Sequence, residues 1–143
     1  MEKKQKTVVL GIIEDSDGRI LMTERLDPKV KDAHKKRDIP WWTNEFGESL
    51  EETLTREIRE ETGLIVKDLE FLPKHHAKVR QHDEFLLHTL LFYYIGKWDG
   101  DTLKITDPKI GEVKWVSLDE ALKLDLLETT TVFLQKYAET KRQ

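Results

Sequence analysis

The stretch Glu45–Leu64 admits few conformations. Ser49 and Glu52 stand three residues apart. At that spacing an N-cap hydroxyl and an N3 carboxylate satisfy each other's backbone donors. Leu50, Leu54 and Ile58 recur at every fourth position and give the following segment an apolar stripe. Gly63 stands where a helix ends on a left-handed residue. The pattern predicts a loop up to Glu48 and a helix opening at Ser49. Its other side is acidic. At about 100° per residue, Glu60 and Glu61 fall roughly 60° to one side and 40° to the other of Glu57. Three carboxylates therefore share one narrow face.

That arrangement is unfavourable by itself, because like charges at i,i+3 and i,i+4 repel by roughly 0.2–0.5 kcal/mol a pair. A hard divalent cation removes the repulsion, and carboxylate oxygen is the donor Mg²⁺ prefers. On charge spacing alone, a solvated acidic face is the alternative.

Arg56-Glu57-Ile58-Arg59-Glu60-Glu61-Thr62-Gly63-Leu64, with Glu48 eight positions before Arg56, resembles the Nudix box. That pattern runs Gly, five residues, Glu, seven residues, Arg-Glu-apolar, one residue, Glu-Glu, one residue, Gly-apolar. Every specified position after the first is matched. At the first, Trp42 stands in place of Gly, and Pro40-Trp41-Trp42 replaces the Pro-Gly-Gly common in the family. Glycine serves where φ is positive or the backbone must approach a ligand, and two tryptophans are neither small nor permissive.

The resemblance implies an α/β fold, a Nudix-like α/β/α sandwich with a mixed β-sheet, spanning residues 1–143 as a single domain. It implies metal-dependent hydrolysis of a nucleoside diphosphate linked to another group. Water attacks one phosphorus and the diphosphate bond breaks. By transfer onto matching positions, Glu57, Glu60 and Glu61 hold Mg²⁺ or Mn²⁺, with Glu45 in the loop and a backbone carbonyl near Trp42 as further ligands. Arg56 orients the carboxylates, and Glu48 joins its network. The general base is either a glutamate of the helix or a downstream carboxylate, for which Glu112 and Asp107 are the candidates. Arg25, Trp41 and Trp42 are the candidate substrate contacts. The alternative is a Nudix-fold binding protein, impaired or remodelled because Trp41-Trp42 replaces Gly-Gly. The indoles would then fill the site, unless they simply bury themselves in the core.

Composition narrows the partners. Net charge is −4, so no global basic field points to nucleic acid. There is no cysteine, which excludes thiolate nucleophiles, disulfides and zinc–thiolate sites. No apolar run approaches a membrane span, and the charged start Met-Glu-Lys-Lys-Gln-Lys has no apolar core, so a cytoplasmic protein is expected. A nucleotide-like small molecule is the expected partner, and a homodimer stays open.

Along the chain, Thr7–Ile13 reads as a buried strand and Arg19–Glu24 as its hairpin return across an Asp-Gly turn. The segment 27–38, with five Lys/Arg, reads as a polar loop. A short strand in Leu64–Leu72 should break at Pro73. His75 and His76 are adjacent and point apart, which argues against a two-histidine metal site. Phe85–Ile95 is the most apolar run and reads as a central strand. The chain should turn at 96–100, add a short edge strand at 103–105, and form a last strand at Glu112–Ser117. Ser117 and Glu120 repeat the capping spacing, and Thr129 or Thr130 should cap a final helix. The charged termini should fray.

Overall fold

Two strands run side by side through the middle of the protein. β1 (Glu2–Glu14) and β6 (Phe85–Trp98) pair in parallel over their whole common length, from Glu2 opposite Phe85 to Glu14 opposite Lys97. The computed structural model describes residues 1–25, 37–98, 110–124, 126 and 128–141. β5 (Val66–Gln81) lies antiparallel on the far side of β6. On the other edge of β1, β4 (Trp41–Thr43) pairs antiparallel with Val8–Leu10. β2 (Ile20–Arg25) meets β1 only at Glu14 opposite Ile20, then pairs with β7 (Ile110–Val116) and with β3 (Arg37–Asp38). The sheet is therefore mixed, with order β3-β2-β1-β6-β5 and with β4 and β7 branching from β1 and β2.

The period-two alternation of β1 divides the core. Val8, Leu10 and Ile12 point to one face, where they meet Met22, Tyr93 and the buried side chains of α2 (Leu118–Ala121) and α3 (Glu128–Lys141). Val9 and Ile13 point to the other, where they meet Leu54 and Ile58 of α1 (Leu50–Thr62). Helices thus cover both faces, the expected α/β/α sandwich. α1 sits close: a Cβ at Gly11 would lie 3.0 Å from Leu54 Cδ1.

Several expectations change. The hairpin closes on a single residue pair because β4 and β6 occupy the rest of β1. Its turn forms as read, with the Asp15 carboxylate accepting from the N–H groups of Asp17 and Arg19 and Gly18 at φ 78°. The N-terminus does not fray: residues 2–6 continue β1, since backbone pairing to β6 needs no apolar side chain. Pro73 does not end its strand. It falls at a register shift between Phe71 and His75, where a missing ladder N–H is tolerated. Thr129 and Thr130 lie inside α3, which opens at Glu128. Thr130 is buried and donates to Asp38 Oδ1. β6 runs to Trp98, past the expected turn at Gly96. The edge strand at 103–105, Asp107 and most of the basic segment at 27–38 lie outside the described residues. Among the described residues, no helix is long and apolar enough to cross a membrane.

Gly11→Ala should cost about 1–3 kcal/mol through overpacking against Leu54. In urea unfolding the loss should shrink when Leu54→Ala opens space for the new methyl. Equal losses in both backgrounds would show that α1 does not rest on Gly11.

Candidate functional site

α1 is positioned from both ends. Ser49 Oγ accepts from Glu52 N–H at 3.1 Å, and Glu52 Oε1 accepts from Ser49 N–H at 3.1 Å, so the reciprocal cap forms as the spacing predicts. Gly63 ends the helix at φ 79°, its N–H on Arg59 O at 2.9 Å. The preceding loop is tied to the sheet by Asn44. Its backbone N–H donates to Thr7 O at 2.8 Å, and its Nδ2 donates to Thr53 Oγ1 at 2.8 Å and Glu48 O at 3.2 Å. From the side, the buried Tyr94 of β6 donates to Glu51 Oε1 at 2.9 Å. Burial, reinforced by that carboxylate, pushes the Tyr94 hydroxyl up to about 12. Neither tie was legible in the sequence, because no spacing rule links Asn44 to β1 or Tyr94 to α1.

Arg56 is the hub. Nε and Nη2 donate to Glu48 Oε2 and Oε1 at 2.8 and 2.9 Å, a bidentate fork. Nη1 donates to Glu57 Oε1 at 3.0 Å and to Glu60 Oε2 at 3.1 Å. One guanidinium thus gathers carboxylates from the loop and from two positions of the helix. Thr53 Oγ1 adds a donor to Glu48 Oε1 at 3.1 Å. The hydrogen bond from Arg56 holds the Glu48 carboxyl below its ordinary value, and the carboxylates in turn push the Arg56 guanidinium up. Glu57 is mostly covered, with a side chain 19% exposed, whereas Glu60 is 59% exposed. Glu61 is half-buried on the next helical position. Glu45 is exposed, and its carbonyl accepts from Glu48 N–H in the turn before the helix.

The tryptophans sit in a strand rather than in a loop. Trp42 is 8% exposed and packs beneath α1 with Leu54 and Ile58, so its indole is core and not the substrate contact expected of it. Asn44 N–H on Thr7 O and Gly11 N–H on Pro40 O bracket the Val9–Trp42 pair. Antiparallel alternation then turns the backbone groups of Trp42 onto β1, including the carbonyl expected to reach a metal. Trp41 faces the other way, half-buried, in the wall of a pocket it shares with Asp38 and Thr130. Arg25 closes β2, and Glu112 is opposite Glu24 within the β7 ladder rather than in a loop. The side chains of Arg25 and Glu112 lie outside the described residues.

A family profile described as NUDIX domain matches residues 4–137. An 8-oxo-dGTP diphosphatase of Haemophilus influenzae is 28% identical over 101 residues, which cover 71% of this chain and 70% of that protein. Among solved structures, a NUDIX hydrolase from Nitrosomonas europaea matches with a TM-score of 0.76 at 22% identity, over 96% of this chain and 91% of that one. The NUDIX domain of Shewanella oneidensis NrtR, solved with ADP ribose, matches with a TM-score of 0.75 at 18% identity, over 95% of this chain and 88% of that one. At such identities the two structural likenesses show the fold.

Glu48 binds its proton less tightly folded than unfolded. The resulting stabilisation is full above the ordinary glutamate value of 4.5 and is lost as pH falls through the lowered folded value. Glu48→Gln should therefore be less stable than the unaltered protein near neutral pH, with the gap closing on acidification. A gap of constant size down the acid limb would contradict the ionised fork.

Proposed function

The chain belongs to the Nudix family and is a Nudix diphosphohydrolase, and from that premise we propose that it splits nucleoside diphosphates linked to another group at the Arg56-centred carboxylates of α1. The observation that carries this reading is the fork itself. Arg56 joins Glu48, Glu57 and Glu60 across loop and helix, so oxygens that would repel one another are held in place before any ligand arrives. Such pre-positioned charge costs no reorganisation during reaction.

The donor chemistry fits a hard divalent ion. Glu57, Glu60 and Glu61 offer oxygen only, as Mg²⁺ and Mn²⁺ require. Among the described residues, no three acidic or histidine side chains stand converged on one point. Mg²⁺ does not demand that, since it keeps several waters and takes one or two carboxylates together with substrate phosphates. When bound, the ion would neutralise phosphoryl oxygens and lower the pKa of a coordinated water.

In this reading Arg56 fixes the direction of Glu57 and Glu60, and Glu48 fixes Arg56. A glutamate of the helix accepts the proton of the attacking water; Glu57 and Glu60 are the candidates. The position of Trp42 supports the enzyme over the binding-protein alternative, because its indole fills core beneath α1 and leaves the carboxylate face uncovered. Trp41 is retained as a substrate contact. The first substrates to try are 8-oxo-dGTP and ADP-ribose, the former because a relative is named for it and the latter because a structural neighbour was solved with it.

Hydrolysis of both, and of a panel of nucleoside triphosphates and nucleotide sugars, should depend on added Mg²⁺ or Mn²⁺. Glu57→Gln should lower turnover at least ~100-fold and weaken Mg²⁺ binding in titration calorimetry, with the circular dichroism spectrum unchanged. A panel left intact by the unaltered protein, or a Glu57→Gln variant of full rate and metal affinity, would sink the assignment.

A further inference from the structure

The sheet face opposite α1 carries a pocket of about 350 Å³ with a cationic rim. Trp41, Asp38 and Thr130 form its inner wall, and Lys6, Lys78 and Arg80 stand at its outer side. Strand register creates that rim. Lys6 of β1 and Lys78 of β5 both pair with Thr89 of β6. One step further out, Lys4 and Arg80 both pair with Leu87. Directly paired residues share a face. Four cations therefore stand on one side of a three-stranded ribbon. Strands spaced at about 4.8 Å put the two columns roughly 10 Å apart, and a two-residue step of about 6.7 Å separates the two rows.

This is a local reversal of sign in a chain of net charge −4. Lys4, Lys78 and Arg80 are exposed. The carboxylate of Asp38 in the inner wall is engaged by Thr130 Oγ1 and by Ile39 N–H. Lys6 Nζ lies 5.7 Å from the centre of the Trp41 ring, which joins the rim to the aromatic wall. The rim also lies level with the proposed catalytic loop, because Asn44 leaves the sheet bonded to Thr7, the residue after Lys6.

We propose that this pocket binds the part of the substrate remote from the scissile diphosphate, and that this part carries a phosphoryl group of its own. A flat ring lies against Trp41, the aromatic side chain of the pocket lining. The oxyanions lie among Lys6, Lys78 and Arg80, the three cations of the pocket lining, while Lys4 Nζ is turned outward to 4.4 Å from the centre of the Phe85 ring; charge-assisted hydrogen bonds are the strong ones. The substrate class is then a diphosphate-linked nucleotide bearing a second phosphomonoester, as on a ribose 3′-oxygen. The inference rests on the diphosphohydrolase reading and narrows its substrates.

The test uses ligands with no diphosphate bond, so it needs neither turnover nor metal. Adenosine 3′,5′-bisphosphate and adenosine 5′-monophosphate are titrated into the full chain by calorimetry with a chelator present. The bisphosphate should bind about tenfold tighter or better, and the advantage should shrink as salt is raised. In Lys78→Ala/Arg80→Ala the ratio of the two affinities should fall toward one. In Lys78→Arg/Arg80→Lys it should persist, which separates loss of charge from loss of fold. A ratio near one in the unaltered protein, or a ratio unchanged in the alanine pair, overturns the proposal. Turnover of the hydrolysis panel alongside a ratio of one would remove this inference alone. A tenfold ratio without turnover would leave the pocket assignment standing and remove the hydrolase reading.

Discussion

From Val8 to Glu14, β1 has neighbours on both edges and is packed on both faces. β6 takes one edge, while β4 and β2 share the other. Val8, Leu10 and Ile12 anchor the layer beneath α3, and Val9 and Ile13 anchor the layer beneath α1. The buried backbone groups of that stretch must be satisfied by pairing. That requirement sets where its neighbours begin and end. Gly11 is the one place on it where the absence of a side chain matters to a helix, because Leu54 occupies the space a methyl would need.

The candidate site inherits its order from that strand. β4 pairs with β1, Asn44 at its end bonds to Thr7, and the Asn44 side chain reaches the first turn of α1. The loop is thereby held close enough for Glu48 to meet Arg56, eight residues on, in a bidentate fork. Arg56 turns its Nη1 to Glu57 and Glu60. An acidic helix face that looks merely repulsive in one dimension is a cross-linked array in three.

The two faces of the sheet differ in electrostatic character. α1 brings carboxylates to one end of its face, while the extended ribbon of β1, β6 and β5 presents lysine and arginine on the other. Net charge conceals this, since it sums over groups that the fold keeps apart. The Trp41-Trp42 pair divides the same way. Consecutive residues of a strand point to opposite faces, so one indole supports α1 and the other borders the cationic pocket. Read as part of a loop, the pair suggested an obstructed site. Placed in a strand, it does two separate jobs.

What was legible in the sequence was whatever a few consecutive residues decide. The Ser49–Glu52 cap, the Gly63 stop, the apolar stripe of α1 and the Asp-Gly turn between β1 and β2 all formed as read, because each is closed by hydrogen bonds or packing within one or two turns of chain. The long apolar run of β6 was legible for a similar reason, as only a buried strand or helix accepts it. Tertiary structure decided the rest. It drew residues 2–6 into a strand, carried β5 through Pro73 on a register shift, and placed Thr130 inside α3 against Asp38. It also turned Trp42 into core and aligned four cations across three strands. Each of these depends on a partner far away in the chain, and the free energy of such a pairing belongs to neither segment alone.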